Sequence, residues 1–248
     1  MTMYRYETHI HTWPVSRCGK TDVQTSLKYY RDLGFTGVFI TNHFIDKNRP
    51  FAEGWSYEER IRYYFSDYEK GKELEKELGL QVFCGVEISC KGTDFLIYGL
   101  DKQWYVDHPG LDTLTMRQTL TLMGEAGALI IQAHPFREAN YIDHIRLFPR
   151  QIHGVEVYNG CRSDFENKLA LQYADNYGLL HFAGTDNHKC GLTDFEGTKN
   201  IAAGPQKHFG GMESDTPVEN EQDFIARVLN GQMHPFRMEL DTLCPSRI

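Results

Sequence analysis

Apolar and polar positions along this chain fall into short runs with two different periods. Residues up to His11 alternate with period two, the signature of a half-buried strand, and Tyr6-Glu7-Thr8-His9-Ile10-His11-Thr12 closes that run. From Val23 to Leu33 the period lengthens: Val23, Leu27, Tyr30 and Leu33 recur at helical spacing, and Gly34 supplies a stop. Gly37 to Thr41 is a compact buried strand that runs into Asn42-His43. After a loop with Pro50, Gly54 and Trp55, the pair Ser56/Glu59 forms a capping box and opens a long helix to about Leu78, closed by Gly79. Gln81 to Ile88 is a strand carrying Glu87, and Asp94 to Leu100 a strand beside it.

The same alternation continues downstream. Asp112 or Thr113 starts a helix ending near Ala126-Gly127. Ala128 to Ala133 is an apolar strand that ends at His134-Pro135. An irregular stretch with Arg137, Glu138 and His144 leads to the strand Gly154–Tyr158 and Asn159-Gly160. Ser163/Glu166 is a second capping box, opening a helix to Tyr177 with Gly178 as its stop. Leu179 to Ala183 then delivers Gly184-Thr185-Asp186-Asn187-His188. The remainder is less regular: a strand is expected over Lys199–Ala203, a Gly-rich loop over Phe209–Asp215 and a helix over Glu219–Asn230, before a tail with His234-Pro235.

Strands alternating with helices predict an α/β fold with a mostly parallel sheet and crossover helices. No repeat, low-complexity run or linker divides the chain, so one domain is expected over residues 1–248. In such folds functional groups gather at the carboxyl ends of the strands. His9/His11, Asn42/His43, Glu87, His134, Glu156/Asn159 and Asp186/His188 all fall at such ends. Histidines placed merely to fill a core have no reason to choose the same end of every strand. His9 and His11, two residues apart on a strand, point to one face and can aim two imidazoles at one ion.

Composition narrows the function classes. The net charge of −8 and pI of about 5.8 argue against broad nonspecific nucleic-acid binding. No run of apolar residues is long enough for a membrane span, and the N-terminal residues do not read as a secretory leader; a cytoplasmic protein is expected. Cys18, Cys84, Cys90, Cys161, Cys190 and Cys244 are scattered, without a C-x-x-C pair, and read as free thiols. Cys18 and Cys190 lie near candidate ligand segments.

Histidine and carboxylate suit zinc, iron or manganese. His9, His11, His43, Glu87, His134, Asp186 and His188 are too many for one tetrahedral ion, and a structural zinc site is usually closed and thiolate-rich. A carboxylate such as Glu87 can bridge two cations. Such clusters activate water as hydroxide and clamp the oxygens of a transferring phosphoryl group.

His9-Ile10-His11-Thr12, Thr41-Asn42-His43, Glu87, Ala133-His134-Pro135 and Gly184-Thr185-Asp186-Asn187-His188 together resemble the ordered motifs of the PHP (polymerase and histidinol phosphatase) family. The resemblance implies a distorted (β/α)7 barrel and two or three divalent metal ions (Zn, Mn or Fe) that support phosphoester hydrolysis by a metal-bound hydroxide. It implies His9, His11, Glu87 and Asp186 around a first ion, Glu87 and His134 on a second, and His43 and His188 on a third. For the loop ligand of the third ion the candidate is Cys18, read either as a thiolate ligand or as a small buried residue. Asp22 is read as a helix cap instead. A further ligand for the second ion is expected from Asp94 or His108. Asn42 stands where the family often has Asp and is expected to support the ligands from behind.

Arg137 and Arg162 are the candidate phosphate contacts, since Arg offers a bidentate fork. Lys20 and Lys189 also lie close to ligands, and Tyr158 and Asn159 are possible substrate contacts. Glu156 points away from Val155 and Val157, toward the barrel mouth or solvent. His134 and Asp186 are the candidate catalytic groups. The expected activity is hydrolysis of a small phosphomonoester, histidinol-phosphate-like or nucleotide-like, with nucleic acid and membrane not expected as partners. The alternatives are a 3′-end nucleic-acid phosphodiesterase or exonuclease, a different amidohydrolase-like barrel, and a degenerate metal-binding module without turnover.

Overall fold

The computed structural model describes residues 3–44, 54–240 and 246–247; Pro50 and Cys244 lie outside them. The strands are β1 (Tyr4–Ile10), β2 (Gly37–Ile40), β3 (Gln81–Cys90), β4 (Thr93–Tyr98), β5 (Leu129–Ala133), β6 (Gly154–Asn159), β7 (Leu180–Gly184), β8 (His208–Ser214), β9 (His234–Glu239) and β10 (Ser246–Arg247). The helices are α1 (Val23–Asp32), α2 (Tyr57–Leu78), α3 (Lys102–Asp107), α4 (Met116–Glu125), α5 (Asp164–Tyr177) and α6 (Glu221–Leu229). Among the described residues, no helix is long and apolar enough to cross a membrane.

All strands join one sheet, in the order β10-β9-β8-β1-β2-β3-β4-β5-β6-β7. The sheet curls until its first and seventh strands meet: His11 N donates to Asn187 O (2.9 Å), and Asp186 N donates to His9 O (2.8 Å). This nearly closed barrel is the α/β architecture expected. The mostly parallel pairing is not. β1, β2 and β3 pair in parallel, as do β5, β6 and β7, but β4 is antiparallel to both neighbours and β8 is antiparallel to β1 and β9. The reason is connection length: β3 and β4 are joined by the tight turn at Lys91-Gly92, too short for a crossover.

Side-chain alternation sorts the sheet into two faces. Phe39, Phe83, Leu96, Tyr98, Leu129, Ile131 and Phe182 come from five different strands yet form one cluster, which only the barrel interior allows. Phe224, Ile225 and Val228 of α6 pack into it. The opposite parity, including Val86, Ile97, Ile130, Val155 and Val157, packs outward against helices, as do Val38 and Ile40. In β1 the parity changes: Tyr6 lies inside and Ile10 outside, with a register shift between Glu7 and Ile10. The aromatic interior fills one end of the barrel, leaving the inward positions toward the other end, where the parallel strands finish and β4 begins, for His9, His11, Glu87, Asp94 and Glu156.

Both expected capping boxes are present, at Ser56/Glu59 and Ser163/Glu166, and Asp22 caps α1. Four expectations are corrected. The helix assigned from Asp112 or Thr113 is a 3-10 turn at Leu111–Thr113 followed by α4, which Thr115 caps with Gln118. Lys199–Ala203 contains no strand, only a bridge between Thr198 and Ile201. Phe209–Asp215 is no loop: its glycines lie in β8, where Gly210 and Gly211 let the strand approach Gly184 O and Tyr6 O to distances no Cβ permits. The tail at His234-Pro235 opens β9, and Pro235 is tolerated near the start of that strand.

Candidate metal centre

The carboxyl ends of β1, β2, β3, β5 and β7 bring His9, His11, His43, Glu87, His134, Asp186 and His188 to one place. His9 Nε2 and His11 Nε2 lie 3.3 Å apart. Glu87 sits between them: its oxygens are 3.4 Å from His9 Nε2, 3.2 Å from His11 Nε2, 2.8 Å from His43 Nδ1 and 3.4 Å from His134 Nε2. Asp186 Oδ1 is 3.2 Å from His11 Nε2, 3.5 Å from His9 Nε2 and 3.6 Å from His188 Nδ1. The ligand-type atoms form three overlapping groups: His9, His11 and Asp186; His9, Glu87 and His134; and His11, Cys18, His43 and His188. Within each group all atoms lie within 4.8 Å of one another.

Two observations fit these residues to divalent cations. Glu87 is buried, and its oxygens are met only by imidazole nitrogens at 2.8–3.4 Å, without a well-aligned hydrogen bond. A buried carboxylate left this way costs several kcal/mol unless a cation meets it. The donor set is also right: imidazole and carboxylate, with one thiol, are the ligands of zinc, iron and manganese.

The electrostatics agree. Burial opposes charge on His9, but Glu156, Asp186 and Glu87 outweigh it and hold the ring well above its ordinary range. Burial likewise opposes charge on His11, yet Cys18 and Glu87 raise it to about 10. Burial disfavours the charged carboxylates of Glu87 and Asp186. The histidines overcome that and hold both well below the usual range: His43, His9 and His11 around Glu87, and His9 and His188 around Asp186. For Cys18 burial disfavours the thiolate, but His11, His188 and His43 bring it down to about 2. A field that holds this much positive charge as protons can hold it as metal ions once those protons leave.

A second layer orients the ligands. Glu156 is fully buried; its Oε1 lies 2.9 Å from His9 Nδ1, while its Oε2 accepts from His134 N (3.0 Å) and Asn159 Nδ2 (2.8 Å). It therefore lines the interior and does not meet solvent. Asn42 plays the supporting part expected: its Oδ1 accepts from Thr12 N (2.7 Å) and its Nδ2 donates to Thr12 Oγ1 (2.8 Å), with Asp67 of α2 accepting from the same hydroxyl (2.7 Å). Glu7, given no role by the sequence reading, is buried beneath the centre. It accepts from Thr8 N, His9 N and Thr185 N and from the Thr185 hydroxyl, tying the end of β1 to the end of β7. Burial pushes its carboxyl up to about 7. The local period gave no signal for it, because the parity of β1 breaks between Glu7 and Ile10.

Two ligands carry unusual backbone. His134 (φ 25°) and Asp186 (φ 60°) adopt positive φ, a conformation that costs L-residues energy and is retained at functional sites. Gly184, just before Asp186 at the end of β7, makes room: a Cβ there would lie 2.6 Å from His9 Cβ and 2.8 Å from Glu156 Oε1.

Other expectations divide. Asp94 joins none of the three groups; its Oδ2 is 3.9 Å from His134 Nε2 and accepts from Arg137 Nη2 at 3.1 Å. His108 is remote: it ends α3, its Nδ1 lies 2.6 Å from Trp104 O, and its ring stacks on Trp104. Cys190 is a buried core thiol whose pKa burial raises to about 12. Tyr158 and Asn159 do not line the cavity; Asn159 is spent on Glu156, Cys161 and Asn167. Lys189 donates to Ala202 O, and neither it nor Lys20 reaches the cavity. Arg137 and Arg162 do reach it, with Arg162 Nη2 3.7 Å from Asp186 Oδ2. The cavity, about 1040 Å³, opens from the ligand cluster and is also lined by Arg17, Lys199, Leu111, Leu114 and Met116, none of which the sequence reading had placed in the site.

Taken with the barrel, this centre defines a fold shared with PHP-like metal-dependent phosphoesterases. A two-domain protein of Bacteroides vulgatus containing a predicted PHP-like metal-dependent phosphoesterase superposes with a TM-score of 0.67 at 19% identity, over 94% of this chain and 64% of that one. A candidate metal-dependent phosphoesterase of Bifidobacterium adolescentis matches with a TM-score of 0.55 at 14% identity, over 91% and 95% of the two chains. An amidohydrolase of Chromobacterium violaceum, solved with bound sulfate and no metal, gives 0.53 at 14% identity, over 92% and 96%. At these identities the likeness is one of fold. In sequence, the chain is 36% identical over 84 residues to the uncharacterized protein MJ0417 of Methanocaldococcus jannaschii and 33% identical over 101 residues to MJ1587 of the same organism. Those matches take in 30% and 40% of this chain and 35% and 56% of the relatives, so the chain spans only part of their length. No family model matches the chain.

Proposed function

We propose that the protein is a metal-dependent phosphomonoesterase acting on a small molecule. One observation carries this reading: the buried carboxylate of Glu87, ringed by four imidazoles, shares a cavity with Arg137 and Arg162. His9, His11, Glu87 and Asp186, Glu87 with His134, and His43 with His188 and Cys18 are the residues that would hold divalent ions. Such ions supply Lewis acidity and a water of lowered pKa.

The chain's own residues do the rest. Glu156, facing His9 Nδ1, keeps the proton on that nitrogen and leaves the Nε2 lone pair aimed at the cluster. Asp186 spans two jobs: Oδ1 faces His9, His11 and His188, while Oδ2 lies 3.7 Å from both Arg162 Nη2 and His134 Nε2. It thereby fixes Arg162 at the edge of the cluster, where a phosphoryl group would sit. Arg137, held by Asp94, supplies a second cation on the same wall. Two guanidinium groups converging on one site suit a phosphate dianion better than the neutral bond an amidohydrolase cleaves. The apolar wall of Leu111, Leu114 and Met116 suits the organic part of a small ester, and the acidic net charge disfavours a nucleic-acid strand.

The test is phosphate release from a panel of small phosphomonoesters by wild type and Asp186→Asn, with zinc, manganese and iron each supplied. Release by wild type that disappears in the variant is the expected result. No release with any ester and any metal would refute the reading.

A further inference from the structure

The loop between β1 and α1 carries a sulfur atom into a cluster that otherwise offers nitrogen. Cys18 Sγ lies within 4.8 Å of a ring nitrogen from each of His11, His43 and His188. The loop is fixed on several sides. Ser16 N donates to Thr12 O (2.9 Å), Gly19 N to Ser16 O (3.2 Å) and Lys20 N to His188 O (2.6 Å). The Ser16 hydroxyl lies 3.2 Å from His11 Nδ1 and accepts from His43 N (2.9 Å). At Gly19 a Cβ would stand 2.7 Å from the Thr12 carbonyl carbon, so the loop is pressed onto the end of β1. Cys18 is thus presented to three imidazoles by a segment that itself bonds to the ligand-bearing loops. A thiol that merely filled space would not need this frame.

The other two groups have a different character. His9, Glu87 and His134 form one; His9, His11 and Asp186 form the other, and each includes a carboxylate. A thiolate with two imidazoles suits zinc and similar borderline-soft ions, whereas carboxylate with imidazole also accepts manganese and ferrous iron.

We infer that the centre is chemically divided: Cys18, with His43 and His188, forms a thiophilic position selective for zinc-like ions, beside carboxylate positions, which His11 serves, that take harder divalent ions. Binding there displaces protons held by the cluster to solvent as the metal–ligand bonds form. The inference rests on reading the cluster as a metal centre and is independent of which bond the protein hydrolyses.

The test uses the full chain, stripped with a chelator and titrated with Co²⁺, with bound metal measured by elemental analysis. Wild type should develop a near-ultraviolet sulfur-to-cobalt charge-transfer band that Zn²⁺ bleaches and an equal concentration of Mn²⁺ does not. Cys18→Ser should lose the band yet keep the visible cobalt absorption of the remaining positions, which also shows that the variant is folded. Cys161→Ser, altering a thiol that donates to Asp186 O nearby, should retain it. Cobalt bound without the band, a band that survives in Cys18→Ser, or bleaching by Mn²⁺ as readily as by Zn²⁺ would each overturn the inference. Failure of cobalt to bind at all would instead refute the metal-centre reading beneath it. A protein that shows the band but releases no phosphate would separate this result from the proposed reaction.

Discussion

Replacing Glu156 with Gln exchanges one oxygen for an NH2 and leaves the side chain's size unchanged, so its effect is one of proton placement. Glu156 Oε2 accepts from two donors, His134 N and Asn159 Nδ2. An amide nitrogen cannot face two donors. The Gln oxygen must take that place, which turns its NH2 toward His9 Nδ1, now 2.9 Å from Glu156 Oε1. His9 Nδ1 must then accept, and the ring proton moves to Nε2, the nitrogen that faces Glu87 and Asp186. A protonated Nε2 cannot ligate a cation. Loss of such an outer partner costs about 10–100-fold in metal affinity, equivalent to about 1.4–2.8 kcal/mol. The hydrogen-bond count is conserved, but the stripped protein loses the buried pair between Glu156 and a protonated His9, so the stripped variant should melt below wild type. Glu156→Ala should lower the melting temperature further, because it also strands two buried donors at about 1–3 kcal/mol each. Competition with a colorimetric chelator gives the affinities, and thermal denaturation of stripped protein gives the stabilities. A Gln variant that binds zinc and manganese as tightly as wild type would refute the tautomer argument.

Gly184→Ala should destabilise by about 1–3 kcal/mol through overpacking and weaken metal binding, because the new methyl group overlaps His9 and Glu156; unchanged melting would show that the β1–β7 closure is looser than described. Arg162→Ala should lower kcat/KM for the best phosphomonoester by about 10–100-fold, the worth of a charged hydrogen bond, with partial recovery in Arg162→Lys; an unchanged kcat/KM would remove Arg162 from the site. Glu221 accepts from Gly99 N, yet burial pushes its carboxyl up to about 7. Its folded pKa lies above the unfolded value, so its stabilising contribution is complete below about 4.5 and is lost as pH rises through about 7. Glu221→Gln keeps the acceptor without the charge. It should raise the melting temperature at pH 8 and leave it nearly unchanged at pH 4, and an equal shift at both would contradict this.

The ligand ends were legible in sequence because the physics there is local. A period-two strand places His9 and His11 on one face, and an apolar run that stops at a histidine or aspartate marks the rim of a barrel. The same parity sent Glu87 inward between Val86 and Ile88. What escaped was set by distant pairing. Phe209–Asp215 looked like a loop because glycine is a poor strand former, yet β8 needs those glycines to pass the backbones of Tyr6 and Gly184. β4 runs antiparallel because a short turn returns it, and this direction leaves Asp94 facing Arg137 at the rim beside His134.

Glu7 and Glu156 show why the supporting layer is harder to read than the ligands. Neither stands at a strand terminus, and each earns its role from a strand remote in sequence: Glu7 from Thr185, Glu156 from His9 and His134. Periodicity can set Glu156 on the face opposite Val155 and Val157, but across the break in β1 it cannot place Glu7. It cannot say that a fully buried carboxylate will find donors there, because that depends on β1 meeting β7 around the closed sheet. The closure is therefore part of the site. The backbone bonds that join His11 to Asn187 and Asp186 to His9 set the positions of both ligand strands, and Glu7 repeats that bond in side-chain form. A substitution that opens this seam should reach the metal centre before it reaches the aromatic interior.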